Sequence, residues 1–164
     1  RKHAQAHRWS STVLPSLIRP FMAFKRQGVR PTTSTSTGCS PCSCPYVRTL
    51  QVVCVFMDYL QDITLAVCQC RPAATQLIQH GVFPCAPVWP SLAVSLDMLE
   101  FVAELFVHVA PNERAWAATL EKYLNVRGYQ FAAKDSLRRR FANALSHYQM
   151  LVRLVDIEIS KIVD

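Results

Sequence analysis

Five of the seven cysteines in this chain of 164 residues stand in two short clusters, and no other feature constrains the fold as strongly. The first cluster, GCSPCSCP, carries Cys39, Cys42 and Cys44, and the second, CQC, carries Cys68 and Cys70. The cysteine count is odd, and no segment has the apolar centre and cleavage site of a secretory signal. We therefore interpret the clusters as metal ligands; free or redox-active thiols are the alternative.

The chain between the two clusters reads as a β-hairpin over residues 46–68. YVRTLQVVCVFM and ITLAVC are rich in β-branched and aromatic residues, and the polar residues between them suit a turn. Such a hairpin brings the cysteines before its first strand close to those after its second. Because zinc prefers four sulfur or nitrogen ligands in a tetrahedron, we predict a zinc site of Cys42, Cys44, Cys68 and Cys70, with Cys39 as the competing ligand through Cys39-x2-Cys42.

A zinc ion with four protein ligands has no open position for water or substrate, so this site would be structural. Of the other candidate ligands, Cys54 and Cys85 are predicted to be core residues and His80 to lie at a helix end. HExxH, a glycine-rich phosphate loop and GxSxG are all missing from the sequence. We therefore predict no enzymatic activity and no small-molecule substrate.

Apolar residues recur at helical spacing from Pro72 onward. Ser91 and Asn112 suit the N-caps of two of the helices, and VFPCAPVWP reads as an extended connector. The predicted fold is α+β: a small zinc-stabilised β-hairpin followed by a bundle of three to four α-helices. These helices are expected at about 72–80, 91–109, 112–126 and 135–162.

Positive charge concentrates at the N-terminal end of the chain. The whole net charge of +7 arises within residues 1–38, because this segment holds seven Lys or Arg residues and no acid. Pro15 and Pro20 interrupt the apolar pattern there, which predicts short helical turns before a Ser/Thr-rich linker. We therefore divide the chain into a partly disordered leader and linker, 1–38, and a folded domain, 39–164.

A basic leader indicates an acidic partner, such as nucleic acid or an anionic membrane surface. No run of 18 apolar residues occurs, so no membrane span is predicted. Arg138, Arg139 and Arg140 stand near the expected start of the last helix, where positive charge opposes the helix dipole. This cost suggests phosphate contacts and makes the three arginines candidate DNA-binding residues; a solvated face is the alternative. The acids Asp97, Glu100 and Glu104 are also interpreted as a solvated face.

Several motifs together resemble a known family. They are the C-x-C of Cys68 and Cys70, the block LIQHGVFPCAPVWPSLAVSLDMLEF, APNERAW, RGYQF and LRRRFANAL, with RWSSTVLPSLIRPFMAFKR upstream. In these segments the chain is similar to the CxC-type cysteine cluster domain near the N-terminus of the Kyakuja-Dileera-Zisupton (KDZ) transposases of fungal mobile elements. Among the cysteines, only the C-x-C of Cys68 and Cys70 matches the family pattern firmly.

The resemblance implies a non-catalytic, zinc-chelating module that helps a transposase to engage DNA, since the family's nuclease-type domain lies far downstream. It also implies that transposon ends and other transposase domains or subunits are the partners, and that the protein is nuclear. A mitochondrial location, from the basic leader, is the alternative. Other interpretations are an oligomerisation module built on the helical half and a non-functional remnant of a mobile element. We expect the chain to be a fragment, a short gene product or such a remnant.

Overall fold

The computed structural model describes residues 1–27, 43–131 and 136–163. The fold class is α+β, as predicted, with a four-stranded mixed sheet where the sequence predicts a hairpin alone. In chain order the elements are α1 (Lys2–Arg8), a π-helical segment (Trp9–Val13), α2 (Leu14–Arg26), β1 (Arg48–Val55), β2 (Leu60–Val67), α3 (Ala73–Gln79), β3 (Val82–Pro84), β4 (Leu92–Ser95), α4 (Leu96–His108), α5 (Glu113–Val126) and α6 (Ser136–Val163).

Strands β1 and β2 form an antiparallel hairpin that lies within the predicted 46–68. Their register runs from Arg48 opposite Val67 to Val55 opposite Leu60. The N–H of Phe56 donates to the carbonyl of Tyr59 across the turn, and the rings of these two residues stack at 4.5 Å. The cysteine-bearing segments therefore meet at the opposite, open end of the hairpin.

The sheet continues beyond the hairpin in the order β2-β1-β4-β3, with β4 parallel to β1. All four residues of β4 are buried, as expected of a strand covered on both faces. Pro84 lies in β3, an edge strand, where a missing N–H leaves no ladder bond unmade. Part of the predicted extended connector is therefore the strand β3.

The predicted helix of residues 91–109 begins too early. Residues 92–95 are the strand β4, and α4 begins at Leu96, where the Ser95 hydroxyl, and not that of Ser91, accepts the N–H of Met98 at 3.3 Å. A short apolar run that is buried on both faces has neither the period of a strand nor that of a helix. In the sequence, residues 92–95 therefore look like the first turn of the helix that follows them. The next cap is as predicted, with Asn112 Oδ1 accepting the N–H of Ala115 at 3.0 Å.

The N-terminal segment also differs from the prediction of short helical turns, because residues 2–26 are helical throughout. The N–H of Leu14 donates to the carbonyl of Trp9, five residues back, which is a π-helical bond. This turn immediately precedes Pro15, which has no N–H to donate to the carbonyl four residues before it. Pro20 lies inside α2 without ending it.

The sheet separates two hydrophobic cores. The larger, which we call the helical core, joins α2, α4, α5 and α6 to one face of the sheet through residues such as Leu17, Phe83, Leu99, Phe141 and Tyr148. On the other face lies the α3 core, a smaller cluster of eight buried residues: Val52, Cys54, Leu65, Val67, Ala73, Leu77, Val82 and Ala93. No helix in the described part of the chain is both long and apolar enough to cross a membrane.

Candidate functional site

The second cysteine pair lies on a tight turn, residues 68–71, which we call the cysteine turn. The N–H of Arg71 donates to the carbonyl of Cys68 at 3.1 Å, and the N–H of Cys68 donates to the carbonyl of Arg71 at 3.4 Å. These two bonds close the turn directly after β2. They leave Cys70 exposed and Cys68 buried.

One side chain of α3 holds the cysteine turn against the hairpin. Gln76 Nε2 donates to the carbonyls of Ala66, in β2, and Arg71, in the turn, both at 2.9 Å. A single amide thus connects the helix, the strand and the turn. No sequence pattern points to this contact, because it depends on how α3 packs against the hairpin.

The hairpin register brings the two cysteine clusters together. The register pairs Arg48 with Val67, so the segment of Cys44 enters β1 at the end of the hairpin where the cysteine turn leaves β2. The Sγ atoms of Cys44 and Cys70 lie 3.1 Å apart. Of the predicted ligands, the structure therefore joins Cys44 to Cys70, with Cys68 on the same turn; Cys39 and Cys42 lie outside the described residues.

The Cys44–Cys70 pair fits a thiolate metal site. Two sulfurs bound to one tetrahedral zinc ion at about 2.3 Å stand about 3.8 Å apart, so the observed 3.1 Å requires only a small rotation of each side chain. Within residues 1–27, 43–131 and 136–163, no group of three or more metal-ligating side chains forms. A complete tetrahedral site would therefore need two further ligands beside Cys44 and Cys70.

The other candidate ligands lie where core or surface residues are expected. Burial, with a smaller effect from Asp62, raises the pKa of Cys54 to about 12. Burial also raises the pKa of Cys85 to about 12, against a smaller lowering by Arg140. Both thiols therefore lose their protons less readily than an ordinary cysteine does, which makes them poorer metal ligands. His80 is exposed and follows the last residue of α3.

The three arginines of α6 differ in their surroundings. Arg138 and Arg139 are exposed, whereas Arg140 is partly buried and donates from Nη1 to Ser91 Oγ at 3.3 Å. The ion pairs among the described residues are Lys25–Glu100, His108–Glu104 and Lys161–Glu158, and none includes these arginines. Arg138 and Arg139 therefore present their charge to solvent.

A fourth arginine, which the sequence does not single out, lies near the open end of the hairpin. The Arg48 guanidinium stands over the ring of Trp89, 4.5 Å from its centroid. Trp89 belongs to the segment between β3 and β4, so this contact joins the first strand to a loop 41 residues further along the chain. A pairing of this kind becomes visible only once the sheet is assembled.

A protein-family model described as "CxC1 like cysteine cluster associated with KDZ transposases" matches residues 28–129. The match covers more than half of the chain and includes all seven cysteines. The protein is therefore a transposase-associated cysteine cluster module, and it belongs to this CxC1-like family, as the sequence motifs predict. The family description names a cysteine cluster and no catalytic domain. No curated protein and no solved structure matches the chain.

Proposed function

We propose that this protein is a zinc-stabilised, non-catalytic module that binds DNA for a KDZ-type transposase. The observation that carries the DNA-binding part is the exposure of Arg138 and Arg139 at the first turns of α6, while residues further along the same helix, such as Phe141 and Tyr148, are buried in the helical core. Packing of the helix holds the two guanidinium groups on a rigid support. Such groups are suited to contacting DNA phosphates.

The distribution of charge supports an anionic partner. Residues 1–96 contain nine Lys or Arg residues but only two acids, Asp58 and Asp62. The leader contributes six of these basic residues within the described part of the chain, where Lys25 pairs with Glu100. Most of this positive charge has no acidic neighbour in the sequence, so we expect binding that is largely electrostatic and decreases steeply with salt.

Zinc would act in this proposal as a scaffold. Cys44 and Cys70 would hold it, together with Cys68 of the same turn and Cys42 or Cys39 from the first cluster. The support is the 3.1 Å approach of the Cys44 and Cys70 sulfurs and the small size of the α3 core beside them. A bound ion would stabilise a hairpin end at which Tyr46 is 87% exposed and Val47 is 58% exposed.

Duplex DNA binding at increasing salt tests the proposal. We expect the dissociation constant to rise about a thousandfold between 50 and 200 mM salt if six or more phosphates are contacted. Arg139→Ala should weaken binding and lower the slope of log affinity against log salt by about one. Arg153→Ala is the matched control, since Arg153 is exposed on the same helix about 21 Å away. Equal losses for the two variants, or no affinity at 50 mM salt, would contradict the proposal.

Metal analysis tests the scaffold separately. Purified protein should contain one zinc ion per chain, and Cys44→Ser and Cys70→Ser should each reduce its affinity at least tenfold. Cys85→Ser, which changes a protonated thiol packed against the helical core, should retain the ion. Protein that carries no zinc after reconstitution, or Cys70→Ser protein that binds it as well as the parent, would contradict the assignment.

A second candidate function is assembly of transposase subunits. The observation in its favour is the apolar surface at the end of α6, where Ile157, Ile159, Ile162 and Val163 are 43–79% exposed. Light scattering distinguishes the two functions. A stable dimer without affinity for DNA would favour assembly, whereas a monomer that binds DNA would favour the first proposal.

A further inference from the structure

The loop of residues 85–91, between β3 and β4, is held by two arginines from distant parts of the chain. Arg48, at the start of β1, stacks on Trp89 at 4.5 Å. Arg140, in α6, donates to Ser91 Oγ at 3.3 Å. The two contacts are two residues apart in the loop. The loop therefore connects the open end of the hairpin to the arginine cluster of α6.

Arg48 is exposed, and no ion pair between described residues includes it. Its partner Trp89 is itself 49% exposed. Stacking on an aromatic ring restricts the long arginine side chain, while the edge of the guanidinium plane keeps its N–H donors. Arg48 is therefore a positively charged group that is already ordered before any ligand arrives, which lowers the entropy lost on binding.

Few acidic residues lie near Arg48 in the sequence or along the hairpin. Residues 63–96 have no Asp or Glu, and neither does any residue before Asp58. Asp62, the acid nearest along the hairpin, is paired with Val53, five residues from Arg48. At the rise of a β-strand this is about 17 Å along β1. An anion that approaches the open end of the hairpin thus meets Arg48 and the partly exposed Arg71.

We propose that Arg48, positioned by Trp89, binds a backbone phosphate of DNA, so that the DNA-binding surface extends from Arg138 and Arg139 across the loop of residues 85–91 to the hairpin. This inference rests on the proposed function and adds a contact site to it. Arg48 contacts the phosphate, and Trp89 is a positioning residue. The cysteine turn, which follows the strand paired with β1, lies at the same end of the hairpin.

The test is binding of a fluorescent DNA duplex between 50 and 200 mM salt. Arg48→Ala should weaken binding about fivefold at the lower salt and reduce the salt slope by about one. Trp89→Ala leaves the net charge unchanged, so it should weaken binding about twofold without the loss of slope that Arg48→Ala causes. Trp89→Phe, which retains a ring for stacking, should restore most of the affinity. Arg114→Ala, at an exposed arginine of α5, is the control for removal of one charge.

The outcomes separate this inference from the proposed function. If the parent protein does not bind duplex DNA, both fail. If Arg139→Ala weakens binding but Arg48→Ala behaves like Arg114→Ala, only the assignment of Arg48 is overturned. A thermal unfolding curve for each variant accompanies the titration, and Arg48→Lys, which retains the charge, should preserve the salt slope. An Arg48→Lys slope as low as that of Arg48→Ala would also overturn the phosphate contact.

Discussion

The two faces of the sheet are stabilised in different ways. On one face, the helical core collects residues from both ends of the chain: Trp9 stacks on Phe83 at 5.8 Å and on His147 at 4.3 Å. On the other face, the α3 core draws only on residues 52–93. The first face therefore has large aromatic and aliphatic side chains from nine elements, and the second has eight mostly small ones.

The difference shows where this fold needs support other than apolar burial. Burial stabilises in proportion to the apolar area removed from water, so the helical core needs no cross-link. A two-stranded hairpin with a small core is marginal by itself, and its open end is the part most exposed to water. The turn-closing bonds, the Gln76 amide and the Cys44–Cys70 pair all lie at that end.

Replacing a tryptophan of the helical core and, for contrast, the tryptophan beside the open end of the hairpin should give the largest difference. Trp9→Ala removes a side chain that is only 4% exposed and stacked on two rings, so it should lower the free energy of unfolding by about 3–5 kcal/mol. Trp89→Ala, at a tryptophan that is 49% exposed, should lower it by about 1 kcal/mol or less. Chemical denaturation measures both. A loss for Trp9→Ala as small as the one expected for Trp89→Ala would mean that the leader is not part of the stable core.

The hairpin and the downstream helices could be predicted because their signals are local. Alternating β-branched residues mark β1 and β2, and apolar residues at spacings of three and four mark α5 and α6. The strands β3 and β4 could not be predicted, since both are short and β4 pairs with β1, from which it is separated by more than 35 residues. The continuous helical structure of the leader could not be predicted either, because a π-helical turn before Pro15 lets the helix continue past this proline.

The candidate site divides in the same way. The approach of Cys44 to Cys70 could be predicted from the sequence, because one cysteine precedes the first strand of a hairpin and the other follows its second strand. The contacts of Gln76 and of Arg48 with Trp89 could not, because each depends on packing between separate elements. The exposure of Arg138 and Arg139 next to the more buried Arg140 likewise depends on which face of α6 packs against the helical core.

Gln76→Leu should weaken the α3 side and spare the helical core. It removes two hydrogen bonds of 2.9 Å and leaves the carbonyls of Ala66 and Arg71 without this donor, at a cost of about 1–3 kcal/mol. Hydrogen exchange should accelerate at the amides of the cysteine turn and remain unchanged in α6. Gln79→Leu, on the exposed side of the same helix, is the matched control. Equal acceleration in α6 would show that the two sides unfold together.

His147→Phe tests the helical side by a smaller, pH-dependent effect. Burial lowers the pKa of His147 below its ordinary value of 6.5, against a weaker opposing effect of a backbone hydrogen bond with Asn143. The unfolded chain therefore takes up a proton near pH 6.5, whereas the folded chain does so only at lower pH. Stability contributed by neutral His147 is present above pH 6.5 and is lost as the pH falls through that value toward the folded-state pKa.

Phenylalanine retains the stacking on Trp9 without a titrating group, so the variant should lose less stability between pH 7 and 5 than the parent does. His80→Phe, which replaces an exposed histidine, should retain the parent's loss. If His147→Phe follows the parent profile in urea unfolding across this range, the ring on Trp9 is not buried enough to resist protonation, and the leader packs less closely on α6 than the 4.3 Å stacking distance implies.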